Sequence, residues 1–265
     1  MKKLDFVFVG PYRTGTTWLY EYFKRHPEVS VPVKVKETFF FDKKHHKGYK
    51  WYFSYFNEKK NHKITGEIAP SYFRSTEAAR RLLENNPNIK IFFTLRDPVD
   101  RIISQYKHGI MKGTINQNDS IIKIYKKNKS FRYATKYEEF INKWKNIIPE
   151  ENLYIFKFEN FIKNKQKYVD NICNILEIKK QEIPEYLDKK IGFSISPKYK
   201  LLYKVGYNII NLLRKLKLFF LVNILKKIVS KINTTKNKKE YYFYSKKQLK
   251  YLLSDEIKKY NNFNY

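Results

Sequence analysis

The run Gly10-Pro11-Tyr12-Arg13-Thr14-Gly15-Thr16-Thr17-Trp18 holds two glycines at the spacing of a phosphate loop, but Thr stands where Lys would follow the second. When such a run joins a strand to a helix, successive backbone N–H groups and the positive helix end point at one anion. The hydroxyls of Thr14, Thr16 and Thr17 can add donors, and Arg13 brings a permanent charge from inside the loop. A nucleoside triphosphatase also needs a lysine after the second glycine and a magnesium site. The missing lysine therefore points to phosphate recognition without metal-assisted triphosphate chemistry. An ordinary glycine turn is the competing reading; the apolar run before the loop and the helical pattern after it argue against that.

A second constellation is Thr94-Leu95-Arg96-Asp97-Pro98-Val99-Asp100-Arg101-Ile102-Ile103-Ser104. Asp97 followed by Pro98 makes a good helix start: a capping side chain, then the residue whose missing N–H costs nothing there. Arg96 is suited to forked contacts with a phosphate, and Ser104, about two turns into the helix, can add a hydroxyl. The plainer alternative is a surface Arg paired with Asp97 or Asp100. His45, His46 and His62 hint at a metal, but no carboxylate or cysteine spacing completes a site, so exposed histidines and no metal are expected.

These residues need elements to place them. Short apolar runs at 6–9, 64–68, 89–95 and 153–158 read as buried strands. Helical patterns cover 16–25, 76–84 and 98–111, and Tyr137, Phe140, Ile141, Trp144 and Ile148 mark one face of another. Strands alternating with helices predict one α/β domain with a mostly parallel sheet flanked by helices. Ligands of such sheets bind beyond the carboxyl ends of the strands, where Gly10, Arg96 and Glu159 would fall. Residues 189–239 contain no Asp or Glu, while Leu202, Val205, Ile209, Leu212, Leu216, Phe220, Ile224 and Ile228 recur at helical spacing. They read as one or two basic amphipathic helices. One interpretation is a helical pair packed on the main domain; the other is peripheral attachment to an anionic membrane surface or a polyanionic substrate. Residues 234–239 are the expected loop, and 241–265 return to a mixed-charge helical pattern. The division expected is a single domain over 1–265, with an α/β core at 1–188 and a basic, mainly helical region at 189–265.

With 265 residues and 42% hydrophobic content the chain can bury a sizeable core. Its 55 Lys and Arg against 25 Asp and Glu give a net charge of +30, a field that draws anionic ligands of any kind. The single Cys173 rules out an intrachain disulfide and fits a reducing, cytoplasmic setting. The opening residues are too quickly taken into the loop motif for a signal peptide, and no run reaches the ~20 apolar residues of a membrane span.

The order of these motifs resembles the sulfotransferases that use 3′-phosphoadenosine 5′-phosphosulfate (PAPS), and in finer pattern their carbohydrate, heparan-sulfate-type branch with its bacterial relatives. Arg13-Thr14-Gly15-Thr16-Thr17-Trp18 is similar to the loop that holds the 5′-phosphosulfate, and Arg96 with Ser104 to the pair that holds the 3′-phosphate. Between them His26-Pro27-Glu28-Val29, Lys36-Glu37-Thr38-Phe39-Phe40-Phe41-Asp42, Gly48-Tyr49-Lys50-Trp51-Tyr52 and Gly66-Glu67-Ile68-Ala69-Pro70-Ser71-Tyr72-Phe73 follow the same order. The resemblance covers residues 4 to 160 and is thin beyond. It implies a P-loop-like α/β fold, PAPS as co-substrate with no metal required, and an acceptor hydroxyl or amine, carried by a carbohydrate or glycoconjugate. No nucleic-acid partner is expected.

On the same ground Glu37, in a segment with Lys36 and the aromatic neighbours Phe39, Phe40 and Phe41, is the candidate base, and Arg13 would stabilise the bridging oxygen of the leaving phosphate. Lys36, Asp42 and Trp51 would line the acceptor side. Departures are visible too. Position 13 is commonly Lys in this branch, the His often found two places after the glutamate is Phe39, and the Lys expected beside Glu67 is Ile68. Two rival readings remain: a P-loop kinase using ATP, against which the missing lysine counts, and a non-enzymatic basic module binding polyanions or membrane through 189–239.

Overall fold

A computed structural model describes residues 2–57, 62–116, 118–188 and 241–263, together with scattered residues between 205 and 225. Phe6, Val7, Phe8 and Val9, which form strand β1 (Phe6–Val9), are all fully buried, so this strand must be covered on both faces. It is flanked by β3 (Ile64–Ile68) on one side and β4 (Lys90–Leu95) on the other, with β2 (Val29–Ser30) and β5 (Leu153–Lys157) at the edges. The order is β2-β3-β1-β4-β5 and every pairing is parallel, Phe6 lying opposite Gly66 on one side and Lys90 on the other. The four strands expected from the sequence are present. The two-residue β2 was too short to give a pattern.

Alternation along the strands assigns their side chains to two cores. Phe6, Phe8, Ile68 and Phe92 face a cluster built with α1 (Thr16–Phe23) and, later in the chain, the helix Lys165–Leu176. Val7, Val9, Ile91, Phe93, Leu153 and Ile155 face a second cluster with α2 (Gly48–Phe53), α3 (Thr76–Asn85) and the helix Tyr137–Lys145. Each fully buried aromatic or aliphatic side chain contributes about 1.5–3 kcal/mol, and rings dominate here: Phe8 stacks on Phe92 with centroids 4.7 Å apart. Ser75 caps α3 by accepting from the Ala78 N–H.

The chain leaves β1 toward β2 and β3 but leaves β4 toward β5, so the connections diverge between β1 and β4. That divergence opens the crevice where ligands of open parallel sheets bind. It places the loop after β1 and the residues after β4 side by side.

By internal contacts the chain falls into two units: Met1–Pro98 with Ala134–Gly192 and Asp255–Tyr265, and Val99–Tyr133 with Phe193–Ser254. The first holds the sheet and both cores. The second holds most of the helix α4 (Pro98–Met111), then α5 (Ile121–Lys127) and α6 (Lys129–Tyr133). Within it the fully buried Arg101 donates to Gln105 at 2.6 Å and to the Phe131 carbonyl at 3.1 Å. The C-terminal pattern forms two helices, Tyr241–Leu252 and Ser254–Asn261. The basic stretch 189–239 and the loop at 234–239 lie almost wholly outside the described residues. Among the described residues no helix is long and apolar enough to cross a membrane.

Candidate functional site

Gly10 ends β1 at φ 147, and a β-carbon there would stand 2.5 Å from the Thr94 carbonyl oxygen and 2.9 Å from its nitrogen. Only glycine lets the loop leave the strand pressed against β4. Left-handed Arg13 (φ 80) and Gly15 (φ 85) flank Thr14, and such alternation turns successive N–H groups into one concavity. A β-carbon on Gly15 would meet the Phe158 ring at 2.9 Å. The Gly15 carbonyl accepts from Trp18 and Leu19, and no side chain caps α1. The first N–H groups of a helix have no partner within it, so those of Thr16 and Thr17 stand at an open, positive helix end.

The three threonines do different things. Thr14 is buried; its hydroxyl donates to the Pro11 carbonyl at 2.9 Å and lies 2.7 Å from the Thr94 hydroxyl, tying the loop to β4. The buried Thr16 hydroxyl accepts from Lys36 Nζ at 3.3 Å. Thr17 is exposed. Trp18 is wholly buried, stacked on Tyr22 and donating from its indole to the Leu187 carbonyl at 3.0 Å; its side chain anchors α1 in the core.

Arg96 follows β4 as expected. Its guanidinium lies over the Phe158 ring, 4.7 Å from the centroid, and donates to the Arg13 carbonyl at 3.3 Å. Its own carbonyl accepts from Tyr137 at 2.7 Å. The next residue is fastened as well: the Asp97 N–H donates to Glu159, which also accepts from Tyr260. Burial, and then the charge of Arg96, hold the Arg13 guanidinium below its ordinary pKa. Two cations that disfavour each other at an open helix end make a place where an anion is stabilising. Ser104 lies half-buried on α4, in the second unit.

Against the start of α1 stands the segment 36–42. Lys36 reaches Thr16 and also donates to Glu37 Oε1 at 3.4 Å, so one ammonium links the helix start to the candidate base. Burial pulls Lys36 below its usual pKa, the Glu37 carboxylate opposes that, and Arg13 adds to it. Glu37 Oε2 accepts from the Tyr12 hydroxyl and from the Ser71 N–H, each at 3.4 Å. Burial, with the charges of Glu37 and Asp42, pushes the Tyr12 phenol up and keeps it a donor. The hydrogen-bond partners of Glu37 are all polar, while its sequence neighbours Phe40 and Phe41 are wholly buried in the core.

Asp42 sits in the turn Phe40–Lys44, its carboxyl pushed up by burial and its buried Oδ1 without a hydrogen-bond partner. Trp51, on α2, is half-buried, stacked toward Phe40 at 6.3 Å with Lys44 Nζ 5.6 Å from its centroid. His45 is not the exposed residue expected; it packs against Phe40 at 5.0 Å and Tyr49 at 5.7 Å, and burial lowers its pKa. Among the described residues no group of three metal-ligating side chains converges.

Glu67, to which the sequence gives no role beyond its place in a motif, stands out in the fold. It is fully buried in β3 and accepts hydrogen bonds from Thr38, Tyr52 and Tyr72. Burial outweighs those bonds and pushes its carboxyl up to about 7. A carboxylate inside an apolar strand run was the available signal.

The chain matches the sulfotransferase domain model over residues 3–207. It is 35% identical over 109 residues to the membrane-associated sulfotransferase kil1 of Dictyostelium discoideum, covering 40% of this chain and 23% of that protein. It is 36% identical over 106 residues to human heparan sulfate glucosamine 3-O-sulfotransferase 6, covering 40% of this chain and 30% of that one. The matched stretches thus span less than a third of either relative. In fold it is similar to a sulfotransferase from Alicyclobacillus acidocaldarius, with TM-score 0.63 at 18% identity over 84% of this chain and 97% of that one. With the family model covering well over half of its length, the chain belongs to the sulfotransferase family.

Proposed function

We propose that the chain transfers a sulfuryl group from PAPS to a hydroxyl or amine of an acceptor, a carbohydrate or glycoconjugate. The observation that carries this reading is the Lys36 bridge: one side chain touches both the start of α1 and the Glu37 carboxylate. A donor held at the helix end and an acceptor held at Glu37 would therefore face each other. The residues fit a phosphosulfate: an uncapped helix start, left-handed residues at 13 and 15, and two neighbouring guanidiniums. PAPS, when bound, supplies the sulfuryl group and the bisphosphate leaving group.

Glu37 takes the proton of the acceptor as its oxygen or nitrogen bonds to sulfur and the bond from sulfur to the bridging phosphate oxygen breaks. Arg13 stabilises the charge left on that oxygen, and being always protonated it does so without giving up a proton. The backbone of 13–17 and the Thr16 and Thr17 positions hold the 5′ end, while Thr14 and Trp18 fix the loop and α1 from within. Arg96 holds the 3′-phosphate; Ser104 keeps the part the resemblance gives it, on that ground alone. Lys36, Asp42 and Trp51 line the acceptor side. Support for a glycan acceptor is the named activity of the heparan sulfate relatives. We place the reaction in one domain over 1–265, with no metal, in a cytoplasmic setting suited to the lone buried Cys173.

The test is a panel of glycan, glycolipid and phenolic acceptors offered with radiolabelled PAPS and no added metal. Label should pass to at least one glycan. Glu37→Gln should abolish most of that transfer while adenosine 3′,5′-bisphosphate affinity stays within about two-fold. A thermal shift with ATP and magnesium but none with adenosine 3′,5′-bisphosphate would favour the kinase and overturn the proposal.

A further inference from the structure

Glu67 Oε1 accepts from both the N–H and the hydroxyl of Thr38 at 2.8 Å, and Oε2 accepts from the hydroxyls of Tyr52 and Tyr72 at 2.9 Å. Burying a carboxyl among neutral donors is unfavourable compared with an apolar residue of the same shape. What such an arrangement provides, and an apolar side chain cannot, is a directed hold on its partners. Thr38 directly follows Glu37. Phe39, the next residue, is left-handed at φ 58, a strained conformation for a bulky residue that is kept only where its surroundings over-determine it. The other side of this reversal is fixed by the same network: the Tyr72 oxygen accepts from the Phe40 N–H at 3.1 Å, and the Thr38 hydroxyl oxygen accepts from that N–H too. The chain thus turns so that Phe40 and Phe41 enter the core while Glu37 faces Lys36, Tyr12 and Ser71.

We propose that Glu67 is a positioning residue for Glu37, holding through Thr38 the strained reversal that presents the Glu37 carboxylate beside the start of α1. This rests on Glu37 being the base. It assigns to β3 a part in catalysis exerted without contact with substrate.

The test compares Glu67→Gln, Thr38→Val, Glu37→Gln and the double variants carrying Glu37→Gln, each checked by thermal melting. Glu67→Gln and Thr38→Val should lower kcat by about 10- to 100-fold, with the KM for PAPS and the affinity for adenosine 3′,5′-bisphosphate changed less than about two-fold. Neither should lower the residual single-turnover rate of Glu37→Gln further, since a residue acting only through Glu37 has nothing left to position. Equal losses with and without Glu37, or a fall in nucleotide affinity matching the fall in kcat, would sink the positioning role and leave Glu37 standing. Full turnover in Glu37→Gln alone would instead remove the base and this proposal with it. If Glu67→Gln does not fold, Thr38→Val and its double variant decide the matter.

Discussion

The loop 10–18 and the segment 36–42 meet at the start of α1, where Lys36 reaches Thr16 and Tyr12 reaches Glu37, and they are shaped by opposite means. The loop gets its course from atoms that are missing: no β-carbon at Gly10 where Thr94 closes in, none at Gly15 under the Phe158 ring. The segment gets its course from a carboxyl that is present, Glu67, drawing donors from 38, 52 and 72. A steric constraint tolerates changes of pH and salt but not an added methyl group. A polar network tolerates small changes of shape but not the loss of a partner. The two halves of the site should therefore fail under different perturbations.

The sharpest test of the steric half is Gly10→Ala. The added carbon would stand 2.5 Å from a main-chain carbonyl, which cannot swing aside as a side-chain end can, at a φ that L-residues rarely adopt. The variant should lose about 3 kcal/mol or more of stability, lowering the melting temperature by roughly 10 °C, and lose adenosine 3′,5′-bisphosphate binding with it. A variant that melts and binds like the parent would mean that the loop is not held by close approach to β4.

Arg96→Ala asks whether that half discriminates between ends of the nucleotide. Removing a forked, charge-assisted contact should weaken adenosine 3′,5′-bisphosphate by roughly 100-fold. Since Arg96 also bonds the Arg13 carbonyl, some loosening of the loop is expected, and 5′-AMP, which lacks the 3′-phosphate, reports that part alone. Isothermal titration of both ligands separates the two. Equal weakening would show that Arg96 serves the loop and not the 3′-phosphate.

Local patterns carried the steric half into view. The apolar run 6–9, the glycine spacing and the Asp97-Pro98 helix start each act over a few residues, so their consequences appear in the chain itself: β1, the open end of α1 and Arg96 at the mouth of β4. The polar half depends on contacts between residues far apart. Tyr52 meets Glu67 from α2 and Tyr72 from the short helical turn Pro70–Arg74, and nothing in their immediate neighbours distinguishes them from other core aromatics. His45 shows the same limit, since its polarity suggests water while the packing of Phe40 and Tyr49 around it decides otherwise. Glu37 was placed by its motif, but its real partners, Tyr12 and the Ser71 N–H, come from elements whose approach only the fold reveals.

A gentler perturbation, the proton, should act on the polar half alone. Burial pushes the Glu67 carboxyl up to about 7, from an ordinary value near 4.5 in the unfolded chain. Between those values the folded protein holds a proton that the unfolded chain has released, so Glu67 makes the fold less stable as pH rises through this window. The loss should amount to about 2 kcal/mol between about pH 5 and about pH 7. The neighbouring groups do not mask it. Lys36 is the cation that senses Glu67, while Tyr52 and Tyr72 are pushed further up by burial and stay protonated throughout. His26, whose pKa burial lowers, gives an opposite slope but is common to parent and variant. The measurement is the difference in urea stability between Glu67→Gln and the parent across that range, which should shift in favour of the variant as pH rises. A difference that stays flat would mean that Glu67 ionises like an exposed carboxyl, and the segment 36–42 would then be held by shape, as the loop is.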